Sequence, residues 1–162
     1  MVIHTRPAEL SDLPDIRNLF ADTIAGVCIE YDEQQRRTWA SAADDESRWH
    51  RKFENQLFFV AEEHGQQDPI LRGFASLQPD GYIDFFFVHS VMQRSGIGQV
   101  LYKAVEDAAR QLGVSELNAD VSLNARHFFE RMGFGILCEQ TVVLGGLPIK
   151  NYKMHKYPGR LE

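Results

Sequence analysis

The run FFFVHSVMQRSGIGQVLYKAVE, residues 85–106, holds the pattern best suited to chemistry: an apolar strand enters a tight loop with two glycines and leaves as an amphipathic helix. Gly96 and Gly98 let the main chain approach a ligand closely, while the unpaired amides of a first helical turn and the positive end of its dipole suit phosphate oxygens. QRSGIG lacks the first glycine of GxGxxG, and no GxxxxGKS/T occurs, so the dinucleotide fingerprint and the Walker loop both fail on spacing. A second centre is Asp84, the one ionisable group inside the apolar strand that precedes the loop. Burial there is expected to raise its pKa and make it a proton acceptor, unless it anchors a loop or pairs with a basic side chain. His89, at the strand end beside the loop, reads as a polar boundary residue.

The elements that must position these groups follow from periodicity and turn signals. Residues 2–4 begin a strand, and Pro7 is expected near the first turn of a helix carrying Leu10, Leu13, Ile16, Leu19 and Phe20. Residues 23–32, with Gly26, read as a loop, followed by a second helical region holding Trp39, Trp49 and Phe53, with Asp44 as a cap. LFFVAEE, ILRGFASLQ and YIDFFFVHS, separated by HGQQDP and PDG, read as an antiparallel meander whose third strand is covered on both sides. Ile97, Val100, Leu101, Ala104, Val105, Ala108 and Leu112 recur at helical spacing before the stop at Gly113. A strand at about 116–121, a short helix at about 124–132, a strand from Phe134 and a hairpin turning at Gly145-Gly146 complete an α/β chain.

At 162 residues, 44% of them hydrophobic and 25% charged, the chain has the size and composition of one globular domain spanning 1–162. With 17 Lys and Arg against 23 Asp and Glu the net charge is −6, which argues against nucleic acid and favours cationic substrates. No apolar run reaches the ~20 residues of a membrane span and no secretion signal opens the chain, so a cytoplasmic protein with no membrane partner is expected. Cys28 and Cys138 form no CxxC pair and are expected to be reduced, buried thiols; the six His have no ligand spacing, so no metal is expected.

QRSGIG fits the Q/R-x-x-G-x-G/A motif of the GNAT superfamily of N-acetyltransferases, and SLNARHFFERMGF resembles that family's second signature. The resemblance covers residues 3–156 and implies a central, mixed and mostly antiparallel sheet flanked by helices, with a splayed strand pair that takes acetyl-coenzyme A. It further implies that the backbone of Gln93, Arg94, Ser95, Gly96, Ile97 and Gly98 holds the pyrophosphate, with Gln99 closing the first turn of this cofactor site, that Phe87 and Val88 bond the pantetheine arm, and that Asn124 and Phe128 line the far wall. Arg94 and Ser95 replace the family's more usual Gly and Arg, a change a main-chain cradle tolerates; Asn124 can also cap its helix, and Phe129 and Phe134 read as core. By the same resemblance Glu30 and Tyr31 meet the acceptor, and the Val88 amide polarises the acetyl carbonyl. The family's usual acidic Tyr is replaced by Phe129, which leaves water or Tyr82, on the same strand face as Asp84, to serve the thiolate. The implied activity is direct acetyl transfer to a primary amine of a small molecule or peptide. The other readings are a non-catalytic acyl-coenzyme A sensor and a binder of some other nucleotide. The C-terminal hairpin leaves monomer and homodimer open.

Overall fold

Turn signals at 65–69 and 79–81 fold the middle of the chain back on itself twice, and the resulting meander is the backbone of a seven-stranded sheet. The structure is a computed structural model describing residues 2–159. Strands β1 (Val2–Pro7), β2 (Leu57–His64), β3 (Ile70–Leu77), β4 (Tyr82–Val88), β5 (Leu117–Ser122), β6 (Gly135–Leu144) and β7 (Leu147–Lys156) lie in the order β1-β2-β3-β4-β5-β7-β6. All neighbours are antiparallel except β4 and β5. Helices α1 (Leu13–Val27), α2 (Glu33–Ala40) and α3 (Glu46–Asn55) supply one layer, and α4 (Ile97–Leu112) and α5 (Arg126–Arg131) the other. The mixed, mostly antiparallel sheet between helices is the architecture expected. Among the described residues no helix is long and apolar enough to cross a membrane, and no group of three His, Cys, Asp or Glu could hold a metal ion.

Each face of the sheet buries one apolar cluster. Ile97, Leu101, Tyr102, Val105 and Ala109 of α4 pack on Ala75, Leu77 and Ile83, and Gly113 ends the helix in the left-handed region at φ +72°. Val100 and Leu112 of the expected stripe stay 42% and 49% exposed. On the opposite face Ile16, Phe20 and Ile24 of α1 meet Trp49 of α3 and Phe74 of β3.

Several expectations need correction on the α1–α3 side. Pro7 closes β1 opposite Phe59, and Pro14 takes the first helical turn instead; Leu10 lies in a preceding 3₁₀ turn, 52% exposed. α1 runs on to Val27, through residues read as a loop. Gly26 serves close approach there, since a Cβ on it would lie 3.2 Å from Ser90 Cβ at the β4–α4 connection. The second helical region is two helices, Trp39 on α2 and Trp49 and Phe53 on α3, and the cap of α3 is Asp45, whose carboxylate accepts the Arg48 amide at 3.2 Å, rather than Asp44. Cys28 is buried, but Cys138 is exposed on β6, the sheet edge; both are free thiols.

One irregularity in β4 governs the site. Ser76 pairs with Phe85 but Leu77 pairs with Ile83, which leaves Asp84 as an extra residue, a bulge. Ile83, Phe86 and Val88 therefore belong to the α4 side, while Phe85 and Phe87 join the α1–α3 side.

Candidate active site

The loop before α4 turns through the left-handed region at Arg94 (φ +62°) and again at Gly96 (φ +87°), and Gly96 caps the helix without a side chain. The first bond of the α4 ladder runs from the Val100 amide to the Gly96 carbonyl at 3.3 Å, so the amides of Ile97, Gly98 and Gln99 have no intrahelical acceptor. The loop braces itself with side chains: Gln93 Nε2 donates to the Val88 carbonyl at 2.7 Å, and Ser95 Oγ donates to the Met92 carbonyl. Gln93, Arg94, Ser95, Gly96, Gly98 and Gln99 all line one cavity of about 1430 Å³. Ile97 is 1% exposed with its side chain in the core, so only its main chain is available. Gly98 is needed for room: a Cβ would lie 2.8 Å from the ring of Phe128, which stacks on Phe86 with centroids 5.2 Å apart.

Asn124 reaches the same cavity but does not cap α5, whose N-cap is Ala125 without a side-chain bond. Its Oδ1 is buried and lacks a hydrogen-bond partner, which leaves an acceptor for an incoming N–H. Beside it, burial pushes the Cys28 thiol up to about 12, against an opposing hydrogen bond with Asn124. A thiol so protonated near neutrality is a poor nucleophile.

β4 and β5 pair only at Tyr82 with Asn118 and Ile83 with Ala119, then separate. The first residues beyond this fork are Asp84 and Asp120. The His89 amide donates to the Arg72 carbonyl at 2.7 Å, and by alternation the Phe87 main chain faces β3 as well, whereas those of Phe86 and Val88 face the gap. The main-chain edge that borders the gap is thus that of Phe86 and Val88, while the main chain of Phe87 is turned to β3 and Phe87 lines the cavity.

Asp84 is held rather than free. Its Oδ2 accepts from Lys52 Nζ at 2.6 Å and Gln56 Nε2 at 2.8 Å, and the ammonium also lies 5.1 Å from the Phe85 ring centroid. Among the described residues Asp120 is held by neutral donors only, Tyr82 Oη at 3.0 Å and Gln140 Nε2 at 2.9 Å. Burial, with the negative charges of Asp120 and Asp84, raises the Tyr82 phenol well above the ordinary tyrosine range. Tyr82 is therefore a neutral donor with its proton engaged on Asp120.

On the far side of the fork the cavity is walled by Trp39, Phe85, Phe87, Val142 and Leu144. Tyr31 lines it too, but its hydroxyl is spent on the main chain, donating to the Lys150 carbonyl at 2.6 Å and accepting the Leu123 amide at 3.0 Å; burial pushes it up to about 12. Glu30 is exposed and does not line the cavity. Tyr31→Phe strands both main-chain groups and is expected to cost about 1–3 kcal/mol in urea unfolding; an unchanged midpoint would show that neither bond matters.

The structure adds Lys52, Gln56, Asp120 and Asn151 to the residues singled out by sequence. Lys52 and Gln56 continue the face of Trp49 and Phe53 at helical spacing, a signal present in the chain. Asp120 and Asn151 carry no such signal, since their place depends on where β4 and β5 part and on how β7 inserts beside β5.

Residues 27–156 match the acetyltransferase (GNAT) domain family. The chain is similar to the uncharacterized N-acetyltransferase YafP of Escherichia coli, 35% identical over an alignment of 148 residues that covers 89% of this chain and 91% of that protein. It is also similar to the solved structure described as a GCN5-related N-acetyltransferase, aminotransferase class-II, of Rhodopseudomonas palustris. That likeness has a TM-score of 0.88 and 33% identity over 97% of this chain and 98% of that one. The PaiA N-acetyltransferase of Thermoplasma acidophilum, solved in complex with coenzyme A, shares the fold with a TM-score of 0.79 at 18% identity, covering 97% of this chain and 99% of that one.

Proposed function

Because the chain belongs to the GNAT acetyltransferase family, we propose that residues 1–162 act as one domain that moves the acetyl group of acetyl-coenzyme A directly to a primary amine. The observation that carries this reading is the row of unpaired amides at the start of α4, opening onto the gap between β4 and β5. The residues present fit the cosubstrate. The amides of residues 94–99 suit its pyrophosphate, with the Arg94 side chain adding positive charge. Phe86 and Val88 offer the main-chain edge of a missing strand to the pantetheine amides, and the unpartnered Asn124 Oδ1 can accept one of them.

Acetyl-coenzyme A supplies an activated acyl carbon: the neutral amine forms the C–N bond as the C–S bond breaks, the amine loses one proton and the thiolate leaves. The Val88 amide is the donor aimed into the gap at the place where charge develops on the acetyl oxygen. Asp84, with Oδ2 fixed by Lys52 and Gln56, keeps Oδ1 to take the amine's proton directly or through water. Tyr82 orients Asp120, and its raised pKa makes it a weaker acid than a free phenol. No side-chain acid is required, since a thiol of pKa about 8.5 releases its thiolate readily near neutrality. The protonated Cys28 supports direct transfer over a cysteine-bound acetyl.

Phe129, 4% exposed in the core where the family commonly has a Tyr, favours a second reading, an acyl-coenzyme A sensor without turnover. Titration calorimetry with acetyl-coenzyme A, followed by a thiol-release assay over a panel of amines, separates the two. Binding with release supports the enzyme, binding without release supports the sensor, and no heat at millimolar acetyl-coenzyme A removes both.

A further inference from the structure

Charge and shape beyond the fork are specific enough to say more about the acceptor, on the reading that the chain acetylates amines. Of the two carboxylates at the fork, Asp84 is neutralised by Lys52, whereas Asp120 has only the neutral donors Tyr82 and Gln140. Lys153, opposite Asp120 across the β5–β7 ladder, makes no ion pair with it among the described residues. Asp120 is therefore the carboxylate of the fork that holds no ion pair among the described residues. Two rungs along the same face of β7 from Lys153, Asn151 lines the cavity with Oδ1 buried and without a partner. An acceptor oxygen left bare inside a fold needs a donor from a ligand or water.

The rest of this compartment is apolar and flat-sided. The half-buried Trp39, Phe85 and Phe87 line it, with ring centroids 6.3 Å apart for Trp39 and Phe87, and Leu144 of the β6–β7 hairpin lies opposite. Of the other charged lining groups, Arg94 and Arg131 belong to the α4 loop and α5, and Asp45 and Arg48, of opposite sign, stand together at the start of α3, where Asp45 accepts the Arg48 amide. A polyamine or a basic peptide would bring several cations to a compartment in which Asp120 is the one carboxylate at the fork without an ion pair, and in which Arg48 accompanies Asp45.

We infer that the acceptor is a monoamine with an aromatic or bulky aliphatic body, its single ammonium held by Asp120 and Asn151 and its body packed against Trp39, Phe85 and Phe87. Asp120 is a binding residue here, while the proton is taken elsewhere.

The test compares 2-phenylethylamine, isopentylamine, spermidine and a lysine-containing peptide in two assays. One is thiol release with acetyl-coenzyme A, and the other is calorimetric titration into the preformed complex with coenzyme A, which reads binding even without turnover. The expected result is that the two monoamines exceed spermidine and the peptide at least tenfold in affinity and in kcat/KM. Asp120→Asn should raise KM for phenylethylamine at least tenfold more than it lowers kcat, and Trp39→Ala should weaken phenylethylamine binding at least fivefold with circular dichroism unchanged. Spermidine or the peptide as the preferred ligand, or an Asp120→Asn variant that binds phenylethylamine as the parent does, overturns the inference while leaving acetyl transfer intact. Monoamine binding to the coenzyme complex without thiol release sustains the amine site at Asp120 and Asn151 but overturns its description as an acceptor site, together with the enzymatic reading. Binding of none of the four overturns the inference whatever the coenzyme does.

Discussion

Asp84→Asn is expected to lower kcat about a hundredfold near neutral pH, the low end of what a positioned base contributes. The variant should approach the parent at pH values above the pKa of the amine. The sign follows from the proton inventory. Below that pKa the acceptor arrives as an ammonium and must give up a proton to Asp84; above it the amine is already neutral and the carboxylate has less to do. Asn retains an oxygen that can accept from Lys52 Nζ and Gln56 Nε2, which hold the carboxylate at 2.6 and 2.8 Å, so the fork keeps its shape and the loss reports chemistry. The measurement is kcat against pH for both proteins. A deficit constant across the range would make Asp84 a positioning residue that fixes Lys52 and the bulge, and would end its role as base.

Gly98→Val should weaken coenzyme A binding on the order of a hundredfold, about 2.8 kcal/mol. A Cβ at this position lies 2.8 Å from the Phe128 ring, which is itself stacked on Phe86, so the ring must move into the space proposed for the pantetheine arm. Calorimetry with coenzyme A reads the affinity, and far-ultraviolet circular dichroism checks that α4 still forms. Parent-like affinity in a folded variant would mean that phosphate binds somewhere other than the α4 N-terminus.

What the amino-acid order determined by itself was local: the meander from its two turn signals, α4 from an apolar stripe closed by Gly113, and the glycine loop with its unpaired amides from QRSGIG beside that helix. Each depends on near neighbours in the chain, where periodicity and backbone freedom act directly. Gly26 misled for a related reason, because a glycine that breaks a helix and one that lets a helix pack tightly look alike until the opposing surface, here Ser90, is present. Tertiary structure alone decided the chemistry at the fork. One extra residue in β4 moved Phe85 and Phe87 onto the face of Asp84, Lys52 arrived from a helix more than thirty residues away, and the parting of β4 from β5 left Asp120 unpaired on that side. Strand alternation specifies a face only while the ladder is regular, and a bulge resets it by one residue. The company of Asp84 depends on that reset and the exposure of Asp120 on the parting of β4 from β5, and so both emerge only once the sheet has closed.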